Sequence, residues 1–215
     1  MFQGKIFETS IELWGDKLSS NLDSLLDEIR NFVRSKLRLK DPHGTEHVER
    51  VLKICKYLLR VEGGDPWVVY PAALLHDIER EKEKHAKRSA DTAKEFLIKI
   101  GFPREKINLI VKAIREHSYS SGLRPSFKES EILSDADKLD ALGAIGIARV
   151  FMDSALKGRD IKESIRHFYD KILKLPDLMC TKAGRRLALS RVKIVKKFLV
   201  EMENEFEFLY SIEAA

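Results

Sequence analysis

Residues 45–61 read "TEHVERVLKICKYLLRV". Val48, Val51, Leu52, Cys55, Leu58 and Leu59 return every three or four positions, which gathers them on one side of an α-helix. The same period continues along the chain. Asp65 followed by Pro66 forms a capped helix start, and the apolar residues beyond it predict a helix to about Ile78. From about His85, the residues Ala86, Ala90, Ala93, Phe96 and Leu97 share a face, and Gly101 ends the run. Pro103 opens a helix with Ile107, Ile110, Val111 and Ile114 inward, ending at His117, after which "SYSSGLRPSFKES" breaks the period as a loop. One helix is predicted over about 130–156. "DIKE", residues 160–163, has the form of a capping box before a helix that halts at Pro176, and a last long helix starts near residue 181. No sustained polar–apolar alternation and no internal repeat occur. The expectation is an all-α protein, one unit over 1–215, with its core at about 40–155 and helices of about 160–210 packed on it.

Composition narrows the function classes. The chain has 215 residues, enough for one sizeable core, and 34% of them are charged against the usual ~25%. The net charge of +5 favours anionic ligands without choosing among nucleotides, nucleic acid and membrane. Cys55 and Cys180 are far apart and form no CxxC pair, so neither a disulfide framework nor a cysteine zinc site is expected, and a reducing cytoplasm fits. The opening "MFQGKIFETSIELWG" lacks the apolar stretch of a signal peptide, and no uncharged run is long enough to span a bilayer.

Several polar residues fall on the buried side of these helices. His47 shares a face with Val51, Ile54 and Leu58. "AALLHDIERE", residues 72–81, ends a small and apolar run on His76 and Asp77, at the rim of the core. In "ILSDADKLDALGAIGIAR", residues 132–149, Asp137 and Asp140 share a stripe with Leu133 and Ala144, whereas Asp135 points the other way. Two histidines and two aspartates from three helices suit a divalent ion held by imidazole nitrogen and carboxylate oxygen, with positions left for water.

"EHVERV" at 46–51, "AALLHDIE" at 72–79 and the 132–149 segment together resemble the HD-domain metal-dependent phosphohydrolase superfamily, whose hallmark order is His, His-Asp, Asp. The resemblance spans about residues 40–155. It implies a helical bundle around a divalent ion (manganese, cobalt, iron, magnesium, nickel or zinc) held by His47, His76, Asp77 and Asp137. It also implies hydrolysis of a phosphoester or phosphoanhydride in a nucleotide or similar small metabolite, because such an ion lowers the pKa of its water from about 15.7 toward about 7. Asp77, Asp140, Glu79 and His117 are the catalytic candidates, and Lys138 and Arg50 are assigned to substrate phosphate. Many relatives carry a catalytic carboxylate three residues after the Asp of the pair. Here Arg80 stands there, between Glu79 and Glu81. His85 and His117 resemble the additional histidines of two-metal members, so a second ion is the open alternative. His43 and His167 match nothing and are read as surface residues.

Two rival readings share these residues. One is a phosphodiesterase acting on a cyclic nucleotide or an RNA end. The other is a non-catalytic nucleic-acid-binding or signalling module on the same scaffold, disfavoured because the chain has no aromatic RNA-binding strand motif, zinc-finger spacing or basic tail. A homo-oligomer is compatible with the sequence.

Overall fold

The computed structural model describes residues 21–37, 42–118 and 121–213. The described residues form helices and turns with no strand among them. The described part of α1 covers residues 21–36. It is followed by α2 (Thr45–Glu62), α3 (Pro66–Leu75), α4 (His85–Lys99), α5 (Arg104–His117), α6 (Lys128–Asp140), α7 (Gly143–Leu156), α8 (Ile161–Asp170), a 3-10 segment (Ile172–Leu178) and α9 (Lys182–Glu213). The buried apolar side chains form one cluster, from Leu22 and Leu26 of α1 to Val195 and Leu199 of α9. Among the described residues no helix is long and apolar enough to cross a membrane.

α2 buries His47, Val48, Val51, Leu52, Cys55 and Leu58, and Gly63 turns the chain at a φ of 75°. α3 starts as the sequence predicts, with the Asp65 carboxylate accepting from Trp67 N at 2.9 Å. It is nearly apolar and mostly buried, and it packs against α2, α5 and α6. Unlike the predicted helix to Ile78, α3 ends at Leu75. The His76 ring donates from Nδ1 to Ala73 O at 2.8 Å and takes a carbonyl that the continuing helix would use. Turns then carry the chain to Lys84, which adopts the left-handed conformation before α4.

The helix predicted over 130–156 is two helices. At the end of α6 the bonds tighten to Ala141 N→Lys138 O and Leu142 N→Leu139 O, both 3.2 Å, then Leu142 is extended and Gly143 takes a φ of 78°. Arg191 of α9 donates to Leu139 O at 2.5 Å and holds that end of α6.

The start of α9 is clamped to the rest of the molecule. Buried Asp135 of α6 accepts from Cys180 N (2.9 Å), Thr181 N (2.8 Å) and Thr181 Oγ1 (2.7 Å), while Glu62 at the end of α2 accepts from Ala183 N at 2.6 Å. These are unpaired amides of a helix start, where negative charge is favourable. Gly184 faces this junction so closely that an added methyl would overlap Asp135 Oδ2 and lie 2.7 Å from Thr181 Oγ1.

Candidate metal centre

Four helices deliver the polar cluster. His47 comes from the first turn of α2, His76 and Asp77 from the end of α3, His117 from the end of α5, and Asp137 from the last turn of α6. His47 Nε2 and His76 Nε2 face each other at 3.2 Å. Asp137 Oδ1 lies 3.4 Å from the first and 3.9 Å from the second, and Asp77 Oδ2 lies 3.7 and 3.8 Å from them. The structure thus brings together the four residues that the sequence put forward as ligands.

The hydrogen bonds behind the rings fix which nitrogens face inward. His47 Nδ1 meets Asp140 Oδ2 at 2.8 Å, His76 Nδ1 meets Ala73 O at 2.8 Å, and His117 Nδ1 meets Ile114 O at 2.6 Å. Each acceptor takes the proton of Nδ1, so in the neutral rings each Nε2 turns a lone pair toward the centre. Two lone pairs at 3.2 Å repel unless a cation lies between them. Burial holds the His76 ring down to about 4, so a proton on His76 is not that cation at neutral pH. For His47, burial is outweighed by the carboxylates of Asp140 and Asp77, which raise its pKa, so without a metal a proton on His47 Nε2 is the cation that bridges to His76, and a metal ion would take that proton's place.

Asp77 is 1% exposed, yet neither of its oxygens accepts a hydrogen bond, and the same holds for the His117 Nε2 atom. Taking a carboxylate out of water costs several kcal/mol, which hydrogen bonds ordinarily offset and here do not. Burial opposes ionisation of Asp77, but the guanidinium of Arg80 keeps it charged, well below the usual carboxylate range. Its two oxygens face different ways. Oδ2 addresses His47 and His76, while Oδ1 lies 3.6 Å from both His85 Nε2 and His117 Nε2. The nitrogen and oxygen donors of His47, His76 and Asp137, and those of His76, Asp77 and His117, each lie close enough together to hold a metal ion.

Other candidates are committed elsewhere. Asp140 accepts from His47, from Arg50 Nε (2.8 Å) and Nη2 (3.1 Å), and from Arg149 Nη1 (2.8 Å). These bonds hold it at about 2 against the pull of burial, and they use the lone pairs a proton transfer would need. Its geometry is that of a residue positioning His47. Arg50, expected on substrate phosphate, grips Asp140. Lys138, expected there too, is buried and turns its amine back to Ser134 O at 3.2 Å and to Ser134 Oγ. Neither lines the cavity beside the cluster. Glu79 pairs with Lys82 at 2.5 Å and accepts from Thr92 at 3.2 Å, without a contact to the histidines.

His43, read from sequence as a surface residue, stands at the centre instead. Its Nδ1 accepts from Arg149 Nη2 at 3.3 Å and lies 4.0 Å from Asp77 Oδ2, while Nε2 faces Asp153 at 3.7 Å. It lines a cavity of about 700 Å3 with Lys36, Arg80, Lys82, Asp153 and Lys157. Lys171, at the end of α8, is pushed down by burial and lies within electrostatic reach of Asp137 and Arg80. Neither Asp153 nor Lys171 carries a local sequence signal, since both join the site only through the packing of α7 and α8.

A helical frame with an inward histidine–aspartate cluster of this kind defines a protein able to hold a divalent metal. The HD-domain family model matches residues 44–142. The uncharacterized protein YpgQ of Bacillus subtilis (strain 168) is 32% identical over 189 residues, covering 83% of this chain and 92% of YpgQ. The crystal structure of B. subtilis YpgQ in complex with ADP aligns at a TM-score of 0.71 with 30% identity, covering 84% of this chain and 97% of that one. An HD-superfamily hydrolase from Bacillus thuringiensis aligns at 0.69 with 31% identity, covering 86% and 98%. The chain belongs to the HD-domain superfamily.

Proposed function

We propose that this protein is a metal-dependent phosphohydrolase acting on a nucleotide or similar small phosphorylated metabolite. The observation that carries the reading is the buried carboxylate of Asp77, which accepts no hydrogen bond, beside two opposed Nε2 atoms, a donor set that a divalent cation completes. His47, His76, Asp77 Oδ2 and Asp137 would hold the ion. A divalent cation supplies Lewis acidity toward a phosphoryl oxygen and makes water acidic near neutral pH.

The chain's own groups supply the rest. Asp140 fixes the His47 ring, and Arg50 and Arg149 fix Asp140. The adjoining cavity has a mixed wall, with Glu79, Glu81 and Asp153 beside Lys36, Arg80, Lys82 and Lys157; Lys82 and Lys157 pair with Glu79 and Asp153, which leaves Lys36 and Arg80 as the groups suited to phosphate oxygens. His117 Nε2, oriented by Ile114 O, is placed to exchange a proton near Asp77. The ADP on B. subtilis YpgQ supports a nucleotide over other phosphate esters.

A second reading has its own observation. Asp77 Oδ1, His85 and His117 would hold a second ion, and His117 Nε2 has no hydrogen-bond partner. Against it, Arg80 Nη1 lies 3.2 Å from His85 Nε2 and 3.4 Å from Asp77 Oδ2, so a cationic group already stands beside those donors. We favour one ion with Arg80 beside it.

Chelation followed by readdition of manganese tests the function. Metal content by mass spectrometry and hydrolysis of a nucleotide panel should fall and return together. Undiminished hydrolysis in metal-free protein would refute the proposal.

A further inference from the structure

α9 carries a pattern that neither the core nor the metal centre uses. Arg186, Leu189, Lys193, Lys196, Val200, Glu203, Glu207 and Tyr210 follow one another at alternating steps of three and four, and all eight are exposed. Such spacing forms a single stripe along one helix side, about 36 Å long at 1.5 Å per residue. The first half of the stripe is basic, the second acidic, with Val200 near the middle. Leu189, Val200 and Tyr210 are each about half exposed, at 48%, 52% and 53%.

This sorting of charge works against the helix that carries it. Cations belong near a helix C-terminus and anions near its N-terminus, which is the reverse of the order here. The exposed charges also repel at one-turn spacing, as in Lys193 with Lys197, Glu201 with Glu205 and Glu203 with Glu207. Among the described residues Arg186, Lys193, Lys196 and Glu207 make no ion pair, and Glu203 accepts only from Tyr169 at 2.5 Å.

We propose that the exposed stripe of α9 is a docking surface for a second copy of this chain, lying antiparallel to the first. Turning one copy about a two-fold axis near residues 198–200 sets each basic half against an acidic half, and the leucine, valine and tyrosine side chains between them lose water. In one register with the same alternation, Lys193 meets Glu203; Tyr210 is already held within its own chain by Lys162, whose Nζ donates to its hydroxyl at 2.8 Å and lies 5.5 Å from its ring. The same chemistry recurs by symmetry on the other side, so the contact closes at two copies. The basic half alone also suits a nucleic acid, but the acidic half would repel one.

The test is the mass of the full chain in solution, by sedimentation or light scattering at low and high salt. A basic-to-acidic variant (Arg186→Glu, Lys193→Glu, Lys196→Glu) and an acidic-to-basic variant (Glu203→Lys, Glu207→Lys) are compared with the native chain. Circular dichroism and metal content check that each variant is folded. The native chain should be a dimer that weakens at least tenfold between low and high salt, each variant a monomer, and their equimolar mixture a heterodimer. Tyr169→Phe, which removes only the bond to Glu203, should leave the dimer intact. A native chain that stays monomeric at a concentration on the order of 100 μM would overturn the proposal. So would variants that dimerise as well as the native chain, or a mixture that stays monomeric.

Discussion

Asp135 on α6 and Asp77 in the turn after α3 are both buried at the heart of the molecule, yet their surroundings differ. Asp135 accepts three hydrogen bonds and ties α6 to the start of α9. Asp77 accepts none and is ringed by His47, His76, His85 and His117 at 3.6 to 3.8 Å. A buried carboxylate whose lone pairs are filled by the fold is part of the scaffold. One whose lone pairs are left over is built for something that the fold does not itself contain.

Exchanging the two by mutation is the sharpest way to break that contrast. Asp77→Ala should abolish metal uptake and reduce turnover by at least about a thousandfold, the scale expected when Lewis-acid chemistry is lost. Without metal it should change stability by less than Asp135→Ala does, because the lost carboxylate accepts no hydrogen bond, although it leaves the Arg80 guanidinium 3.4 Å away without its partner. Asp135→Ala should do the reverse, keeping the bound metal while lowering stability by about 3 kcal/mol through lost charge-assisted bonds. Calorimetry and metal analysis on both variants decide the matter, and equal metal loss in the two would erase the distinction.

Asp140 lies between these extremes, filled by the fold yet touching a ligand. Asp140→Asn should weaken metal affinity about 10- to 100-fold by loosening the His47 ring. Its pKa of about 2 lies below the ~3.9 of an unfolded aspartate, so its stabilisation is present above about pH 4 and is lost as the pH falls toward 2. The variant should therefore be about 2 kcal/mol less stable at pH 7 and no less stable near pH 2, which denaturant titration at the two pH values measures.

Arg80 refines the comparison on the other side of Asp77. Arg80→Ala should raise bound metal from about one equivalent toward two, because it frees His85 and Asp77 Oδ1 for an ion. An unchanged count of one would mean that His85 and His117 do not form a second station. The smallest expected effect concerns the cysteines. Burial pushes the Cys55 thiol far up whereas Cys180 is exposed, so a thiol reagent near pH 8 should label one cysteine per folded chain.

The helices were legible because burial here is one-sided and periodic, and because Asp65, Pro66, Gly101 and the "DIKE" box mark their ends. His47, His76, Asp77 and Asp137 stood out only weakly as polar residues on apolar faces, and it was the His, His-Asp, Asp order, with the resemblance it carries, that singled them out as candidate ligands. What escaped depends on contacts distant in sequence. Gly143 was the visible trace of the break between α6 and α7, but the capture of Leu139 O by Arg191 was not. His43 lies outside any periodic face and enters the site through Arg149 and Asp153 of α7. Arg50 and Lys138 have the charge for phosphate, but Asp140 and Ser134, one turn to either side of Asp137, claim them first.

Gly184 has a consequence for how this sequence can drift. Its missing side chain lets α9 begin against the Asp135 carboxylate, so the two positions, far apart along the chain, are free to change only as a pair. A descendant acquiring alanine there first would have to surrender the junction before any shorter partner for Asp135 could arise. Glycine should therefore persist in lineages that keep the aspartate and give way only where it has gone, a coupled signature that an alignment of relatives would expose without any assay.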